Sequence, residues 1–160
     1  MCKMASGFIN PKTLEVKVAV LDSHSGTAEK LGLKDTDKPN GWREMHYTPD
    51  GEVECRVLPQ DSSTAGECRA MVLTTWPTFA DFFNWAVGQG AGGEGTTLDL
   101  GSLTSAEGLT IPEGVRTLDL GSLTSAEGLT IPEGVEWLYL GSLTSADKEE
   151  ILKKYPGAWW

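Results

Sequence analysis

The sequence predicts two parts in one chain: a small α+β domain, followed by a short β-solenoid of 20-residue coils closed by a C-terminal helix. A tandem repeat with strand-like alternation predicts the solenoid, and a charged amphipathic segment after it predicts the helix. A hairpin pattern and two helix patterns upstream predict the α+β domain. The predicted boundaries are residues 1–87 for the α+β domain, 88–96 for a Gly-rich linker and 97–160 for the repeats and their cap.

Local patterns predict each N-terminal element. Alternating valines over residues 16–20 indicate a strand, and one helical turn is expected at residues 27–31. Apolar and aromatic residues on both sides of a Thr-Pro-Asp-Gly turn indicate a hairpin over residues 42–57. Two helices follow, with candidate capping boxes that begin at Thr64 and Thr78.

The second of these helices carries four aromatic residues, Phe79, Phe82, Phe83 and Trp85. They form either the core under the hairpin or a cover for the first coil of the solenoid, and one helix can serve both uses. A cover is expected because arrays of fewer than about three repeats bury too little apolar area to offset the entropy of ordering the chain.

The repeat begins at residue 97. Residues 97–116 and 117–136 differ at one position, Arg116 against Glu136, and a third unit opens at Trp137 and leaves the pattern after residue 147. Apolar residues alternate with period two twice in each unit, which predicts two short strands per coil separated by glycine turns. Stacked coils would cover each other's leucine faces.

The repeat resembles a known family. Residues 115–123 read V-x-x-L-x-L-x-x-L and residues 128–135 read G-L-T-I-P-E-G-V, a combination that is similar to bacterial leucine-rich repeats of the BspA-like class. The resemblance covers residues 97–147 and implies protein recognition rather than catalysis. Leu123 stands where the family usually places Asn or Cys, so a horseshoe and a compact β-solenoid both remain open.

The C-terminal helix is expected to start at Thr144 or Ser145 and to stop before Pro156-Gly157. Acidic residues fill its first turn and Lys153 and Lys154 its last, in agreement with the helix dipole. Such a helix would cap the open end of the array.

The positions at which the units differ predict a binding face. The inward leucines stay fixed, while outward positions of the first strand change from Thr and Asp to Trp and Tyr. Trp and Tyr are enriched at the energetic centres of protein interfaces. The predicted partner-binding residues are Thr97, Asp99, Arg116, Thr117, Asp119, Glu136, Trp137 and Tyr139. Alternatively, Trp137 supplies bulk beneath the cap, against Trp159 or Trp160.

The net charge of the chain indicates which classes of partner it can bind. The chain has 13 basic and 23 acidic residues, a formal net charge of −10, which disfavours binding to nucleic acid and to anionic membranes. Residues 91–160 carry 4 basic and 11 acidic side chains, so the acidity favours a protein partner with a basic surface. Stacking would also align acidic columns, formed by Glu107, Glu127 and Asp147 and by Glu113 and Glu133. The runner-up function is therefore an acidic, phage-type inhibitor that mimics nucleic acid and blocks the basic groove of a nucleic-acid-handling enzyme.

The sequence contains few residues in patterns typical of a catalytic or metal-binding site. His24, His46 and three cysteines show no spacing typical of a metal site, and no cofactor motif is present. An enzyme would require a pocket in which His24 or His46 meets a carboxylate. We therefore predict a non-enzymatic protein without metal or cofactor.

The predicted location is the cytoplasm of a bacterial or phage-infected cell. No apolar run approaches the roughly 20 residues of a membrane helix. The N-terminus lacks the apolar region of a signal peptide. The cysteines, Cys2, Cys55 and Cys68, are odd in number and widely spaced, which suits a reducing compartment.

Overall fold

The computed structural model describes residues 4–33, 41–57 and 62–159. These residues form an α+β fold with two four-stranded sheets and four helices, α1 to α4. The first sheet is antiparallel, with strand order β2-β1-β3-β4, and the second is parallel, with order β5-β6-β7-β8.

The N-terminal part contains four strands and three helices. The strands are β1 (Ala5–Ile9), β2 (Val16–Lys17), β3 (Arg43–Tyr47) and β4 (Val53–Cys55). The helices are α1 (His24–Lys30), α2 (Ser62–Thr75) and α3 (Phe79–Gly88). The predicted hairpin is confirmed as β3-β4, with Tyr47 paired to Val53. The predicted valine strand is shorter than expected, since Val20 makes an isolated bridge to Gly92 instead of extending β2.

The helix starts agree with the sequence at two of three positions. Thr78 forms a complete capping box with Asp81, and Thr144 accepts from the Asp147 N–H at the start of α4. The capping box predicted at Thr64 is wrong, because α2 already includes Ser62. The described residues do not include residues 34–40, Cys2, Trp160 or the side chain of Trp159, so the alternative packing of Trp137 against Trp159 or Trp160 lies outside them.

The repeats stack in parallel with a constant offset of 20 residues. Strands β5 (Thr97–Asp99), β6 (Thr117–Asp119) and β7 (Trp137–Tyr139) pair in register, so that Leu98, Leu118 and Leu138 form one buried row. Backbone hydrogen bonds repeat with the same offset; the Leu100 N–H donates to Asp119 O and the Leu120 N–H to Tyr139 O, both at 2.9 Å.

The prediction of a leucine-rich-repeat-like β-solenoid with 20-residue coils is wrong. Each unit contributes one three-residue strand, whereas two strands per unit were predicted. The units do not close into a solenoid. The Leu109 N–H turns back to Ala106 O at 3.0 Å, and Pro112 has no N–H to donate. A second ladder of backbone hydrogen bonds therefore does not form along residues 109–112.

The C-terminal helix replaces the second half of the third unit. Helix α4 (Ser145–Lys154) buries Ile151, and the Tyr155 hydroxyl donates to Ile131 O at 2.8 Å. The chain then forms β8 (Ala158–Trp159), in which Ala158 pairs with Leu138, again 20 residues away. The helix thus fits within one repeat length and returns the chain to the sheet.

Helix α3 packs against both parts of the chain. Its Phe79 and Phe82 rings contact Tyr47 of β3, with centroids 6.1 and 5.5 Å apart. Its Asn84 carboxamide binds the first repeat; Nδ2 donates to Gly108 O at 2.6 Å, and the Thr110 N–H donates to Oδ1 at 2.8 Å. The helix therefore packs under the hairpin, as predicted, and also contacts the first repeat, which is not a coil of a solenoid. One buried apolar cluster spans the two parts, and the division at residues 88–96 stays a prediction.

Replacing Asn84 with Ala should destabilise the protein by about 1 kcal/mol, because two backbone groups at the end of the repeat stack lose their partners. Denaturant unfolding measures this loss. The Gln89→Ala variant, which changes an exposed side chain just past the end of α3, is the control. Equal stability of the two variants would show that the carboxamide does not hold the repeats to α3.

Candidate protein-binding face

Parallel pairing brings the predicted binding residues into two rows. Thr97, Thr117 and Trp137 lie side by side in one row. Asp99, Asp119 and Tyr139 lie side by side in the other. Because the strand period is two, both rows are on the face opposite the buried leucines.

Exposure varies strongly across this face. Trp137 is 55% exposed and Tyr139 48% exposed, and with Leu152 of α4 they are the large hydrophobic residues classed as exposed in the described part of the chain. Thr97, Thr117 and Asp119 are half-buried. Asp99 is buried, so its carboxylate is not available to a partner; it also accepts from the Gly101 N–H at 3.0 Å.

An ion pair borders the two aromatic residues. Arg116 Nη1 lies 3.0 Å from Glu136 Oε1, and both side chains are exposed. This contact joins the one position at which the first two units differ. We define Arg116, Glu136, Trp137 and Tyr139, with Asp119 at their edge, as the aromatic face.

Glycine in the second unit makes room for the Tyr139 ring. A Cβ atom added at Gly121 would lie 2.8 Å from Tyr139 Cε1 and 3.2 Å from Asp119 Oδ1. At Gly101 the equivalent position meets only the Asp99 and Asp119 carboxylates among its nearest atoms. The ring therefore lies flat along the glycine row beside the Asp119 carboxylate, and packing restricts its motion.

The predicted acidic columns are present in part. Glu107, Glu127, Glu113 and Glu133 are exposed at equivalent positions of the first two units. Asp147 belongs to α4 and is half-buried, and it lines a groove of about 600 Å³ together with Glu127. Each of the two acidic columns therefore contains two exposed glutamates from the first two units, Glu107 with Glu127 and Glu113 with Glu133.

A second polar cluster lies in the N-terminal part, away from the aromatic face. Both histidines of the chain approach one buried carboxylate: Glu44 Oε1 lies 2.6 Å from His46 Nε2 and 3.3 Å from His24 Nδ1. Glu44 Oε2 lies 3.3 Å from Arg56 Nη1. We call these four residues the Glu44 cluster. The sequence did not predict that α1 brings His24 to the carboxylate that His46 also contacts.

The contacts of His46 fit a neutral ring that carries its proton on Nε2. Nε2 then faces the Glu44 carboxylate, which can only accept, and Nδ1 can accept from the buried Ser6 hydroxyl at 3.3 Å. Burial lowers the pKa of His46 below 6.5, opposed by Glu44 and Glu54 and assisted by Arg56 and His24. Ser6, His46 and Glu44 form a chain of contacts, but the complete burial of Ser6 keeps its hydroxyl from a substrate.

Asp22 connects the two sheets. Its carboxylate is buried and accepts from the Glu94 N–H at 2.8 Å and from the Asp99 N–H at 3.3 Å. Burial raises the pKa of Asp22 above 3.8, against the lowering effect of these backbone hydrogen bonds. Asp22 thus links the segment before α1 to the first repeat strand.

No site for a metal ion is evident among the residues that the structure describes, where no three His, Cys, Asp or Glu side chains are suitably grouped. Cys55 and Cys68 are free thiols on β4 and α2. Burial raises the pKa of the Cys55 thiol to about 12. This thiol is therefore protonated and poorly nucleophilic at neutral pH.

Comparison with protein-family models, with curated proteins and with solved structures gives no match. The resemblance of residues 97–147 to bacterial leucine-rich repeats therefore stays a prediction. In the described ranges, no helix has the length and apolar character needed to cross a membrane.

Proposed function

We propose that this protein is a non-catalytic protein-interaction module that binds its partner through the aromatic face. The observation that carries the proposal is the exposure of Trp137 and Tyr139, side by side, on the one repeat strand that departs from the Thr and Asp of its neighbours. About half of each side chain is accessible to a partner.

Aromatic side chains of this kind bind well when they are held in place before the partner arrives. A rigid ring loses little conformational entropy on binding, so more of its buried apolar area contributes to affinity. Tyr139 lies along Gly121 and Trp137 stands on a strand paired on both sides, which restricts both residues. Interface centres elsewhere combine such aromatic groups with a polar rim, which Arg116, Glu136 and Asp119 can supply here.

The repeat itself supplies the variant that tests the proposal. Replacing Trp137 with Thr and Tyr139 with Asp restores the residues of the first two units, whose backbone is the same. The new carboxylate can accept from the Gly141 N–H as Asp119 accepts from Gly121. The fold should therefore persist in W137T/Y139D.

A photo-reactive phenylalanine at position 117, next to Trp137, can report on the bound partner. We expect a specific crosslinked host protein with the parent chain and a loss of about 30-fold or more in W137T/Y139D, as expected when interface-centre residues are removed. The Leu152→Ala variant removes the third exposed apolar side chain and should keep the crosslink. An unchanged crosslink in W137T/Y139D would refute the proposal.

The exposed acidic columns favour one second candidate, an acidic inhibitor that occupies a basic groove in place of nucleic acid. Glu107, Glu127, Glu113 and Glu133 would carry such binding. Affinity would then fall steeply with salt and compete with DNA, whereas W137T/Y139D would bind normally. The same variant therefore separates the two functions.

The remaining features of the proposal follow from the sequence. We place the protein in the cytoplasm, which the free thiols of Cys55 and Cys68 favour. We assign no metal, cofactor or catalytic group. The partner is a protein, and the chain is not expected to bind nucleic acid or a membrane directly.

A further inference from the structure

The surroundings of the aromatic face are acidic, and three of their four basic side chains already contact an acceptor within the chain. Residues 91–160 carry 11 acidic and 4 basic side chains. Arg116 pairs with Glu136 at 3.0 Å, Lys154 with Glu150 at 3.3 Å, and Lys148 donates to Gly141 O at 3.4 Å. An approaching partner therefore meets an excess of negative charge, which attracts cationic groups and repels anionic ones, including a second copy of this chain.

An aromatic ring and a carboxylate stand side by side at the centre of this surface. Tyr139 Cε1 and Asp119 Oδ1 both lie within 3.2 Å of the point that a Cβ of Gly121 would occupy. Trp137 is two residues from Tyr139 on the same face of β7. A flat cation can stack on such rings while its N–H groups reach the neighbouring carboxylate.

We propose that the partner presents an arginine side chain to the aromatic face, where its guanidinium stacks on Tyr139 or Trp137 and donates to Asp119. This inference rests on the proposed function and names the chemistry of its partner. Arginine fits better than lysine, because its planar group can stack and donate at the same time, whereas an ammonium is a compact, strongly hydrated charge. Within the chain, Arg116 already donates to a carboxylate, that of Glu136, at the border of this face.

Three peptides of one sequence test the inference directly. A Gly/Ser peptide carrying two arginines is compared with its lysine counterpart and with its citrulline counterpart, which keeps the shape and removes the charge. NMR titration follows the backbone amides of residues 117–121 and 137–141. We expect the arginine peptide to bind at least about threefold more tightly than the lysine peptide and the citrulline peptide to cause no shift, since stacking adds to charge for arginine alone.

Two variants separate stacking from bulk charge. W137T/Y139D adds a carboxylate, so attraction by net charge alone would strengthen binding of the arginine peptide. We expect the affinity for this peptide to fall about tenfold instead. Such a fall corresponds to the loss of one cation–π contact of about 1–2 kcal/mol. Asp119→Asn keeps an oxygen for the Gly121 N–H and removes the charge, and it should weaken arginine binding severalfold. Leu152→Ala should bind like the parent chain.

The outcomes distinguish this inference from the proposed function. Equal binding of the arginine and lysine peptides, or undiminished binding by W137T/Y139D, would overturn the arginine assignment. If the crosslink from position 117 still depends on Trp137 and Tyr139, the protein-binding function stands with a partner of different chemistry. If neither the preference for the arginine peptide nor the dependence of the crosslink on Trp137 and Tyr139 is observed, both proposals are refuted.

Discussion

Replacing Asp22 with Ala is expected to destabilise the protein by about 2–4 kcal/mol, because two backbone N–H groups lose a charged acceptor where the two sheets meet. Denaturant unfolding gives the free energy. Hydrogen exchange at the Glu94 and Asp99 amides locates the damage, and both should exchange faster. A change below about 0.5 kcal/mol would show that the carboxylate is not needed to hold the sheets together.

Asp22→Asn is the matched variant, because it keeps one acceptor oxygen and places an NH₂ group against the other amide. It should lose less stability than Asp22→Ala. The pH dependence gives a second check. Since the pKa of Asp22 is raised above 3.8, the folded chain keeps a proton there that the unfolded chain loses, and stability falls as pH rises through that acid window. Asp22→Asn should abolish this contribution.

The sequence predicts an element well where the signal is local. The β3-β4 hairpin follows from its turn residues, and the starts of α3 and α4 follow from Thr78 and Thr144. Each depends on contacts between residues a few positions apart, so the composition of the segment determines it.

Strands that are covered on both faces are harder to predict. All five residues of β1 are buried, including Ser6 and Gly7, so its sequence shows no alternation of polar and apolar residues. A Cβ at Gly7 would lie 2.9 Å from Lys17 O, which explains the glycine by close strand contact. The repeats present the reverse case: the alternation at Leu109 and Ile111 is real, but it marks buried turns, and the predicted second strand does not form.

The geometry of the proposed binding face was predictable in outline from comparison of the repeats. Parallel pairing places the predicted positions in adjacent rows, as a 20-residue period requires. The hydrogen bond from the Asp99 N–H to Asp22 could not be predicted, because the two residues are 77 positions apart in the chain. Strand β8 could have been predicted from the repeat length, because Ala158 follows Leu138 by 20 residues and pairs with it. The Glu44 cluster is assembled from distant elements and left no comparable pattern.

Lowering the pH below 6.5 is expected to destabilise the fold through His46. The unfolded chain protonates this residue at about its ordinary pKa, while the folded chain resists because burial lowers the pKa, so stability is lost as pH falls from 6.5 toward the lowered value. Protonation of Nδ1 would also leave the buried Ser6 hydroxyl without its acceptor. The slope should reach at most about 1.4 kcal/mol per pH unit.

Denaturant unfolding between pH 7.5 and 5.5 isolates this effect, because ordinary carboxylates stay ionised over that range. His46→Gln can still donate to Glu44 and accept from Ser6 but does not titrate, so the slope assigned to His46 should disappear in this variant. His24→Gln leaves His46 in place and should retain that slope. If the slope remains in His46→Gln, or if stability rises on acidification, burial of His46 does not control the response of the fold to acid.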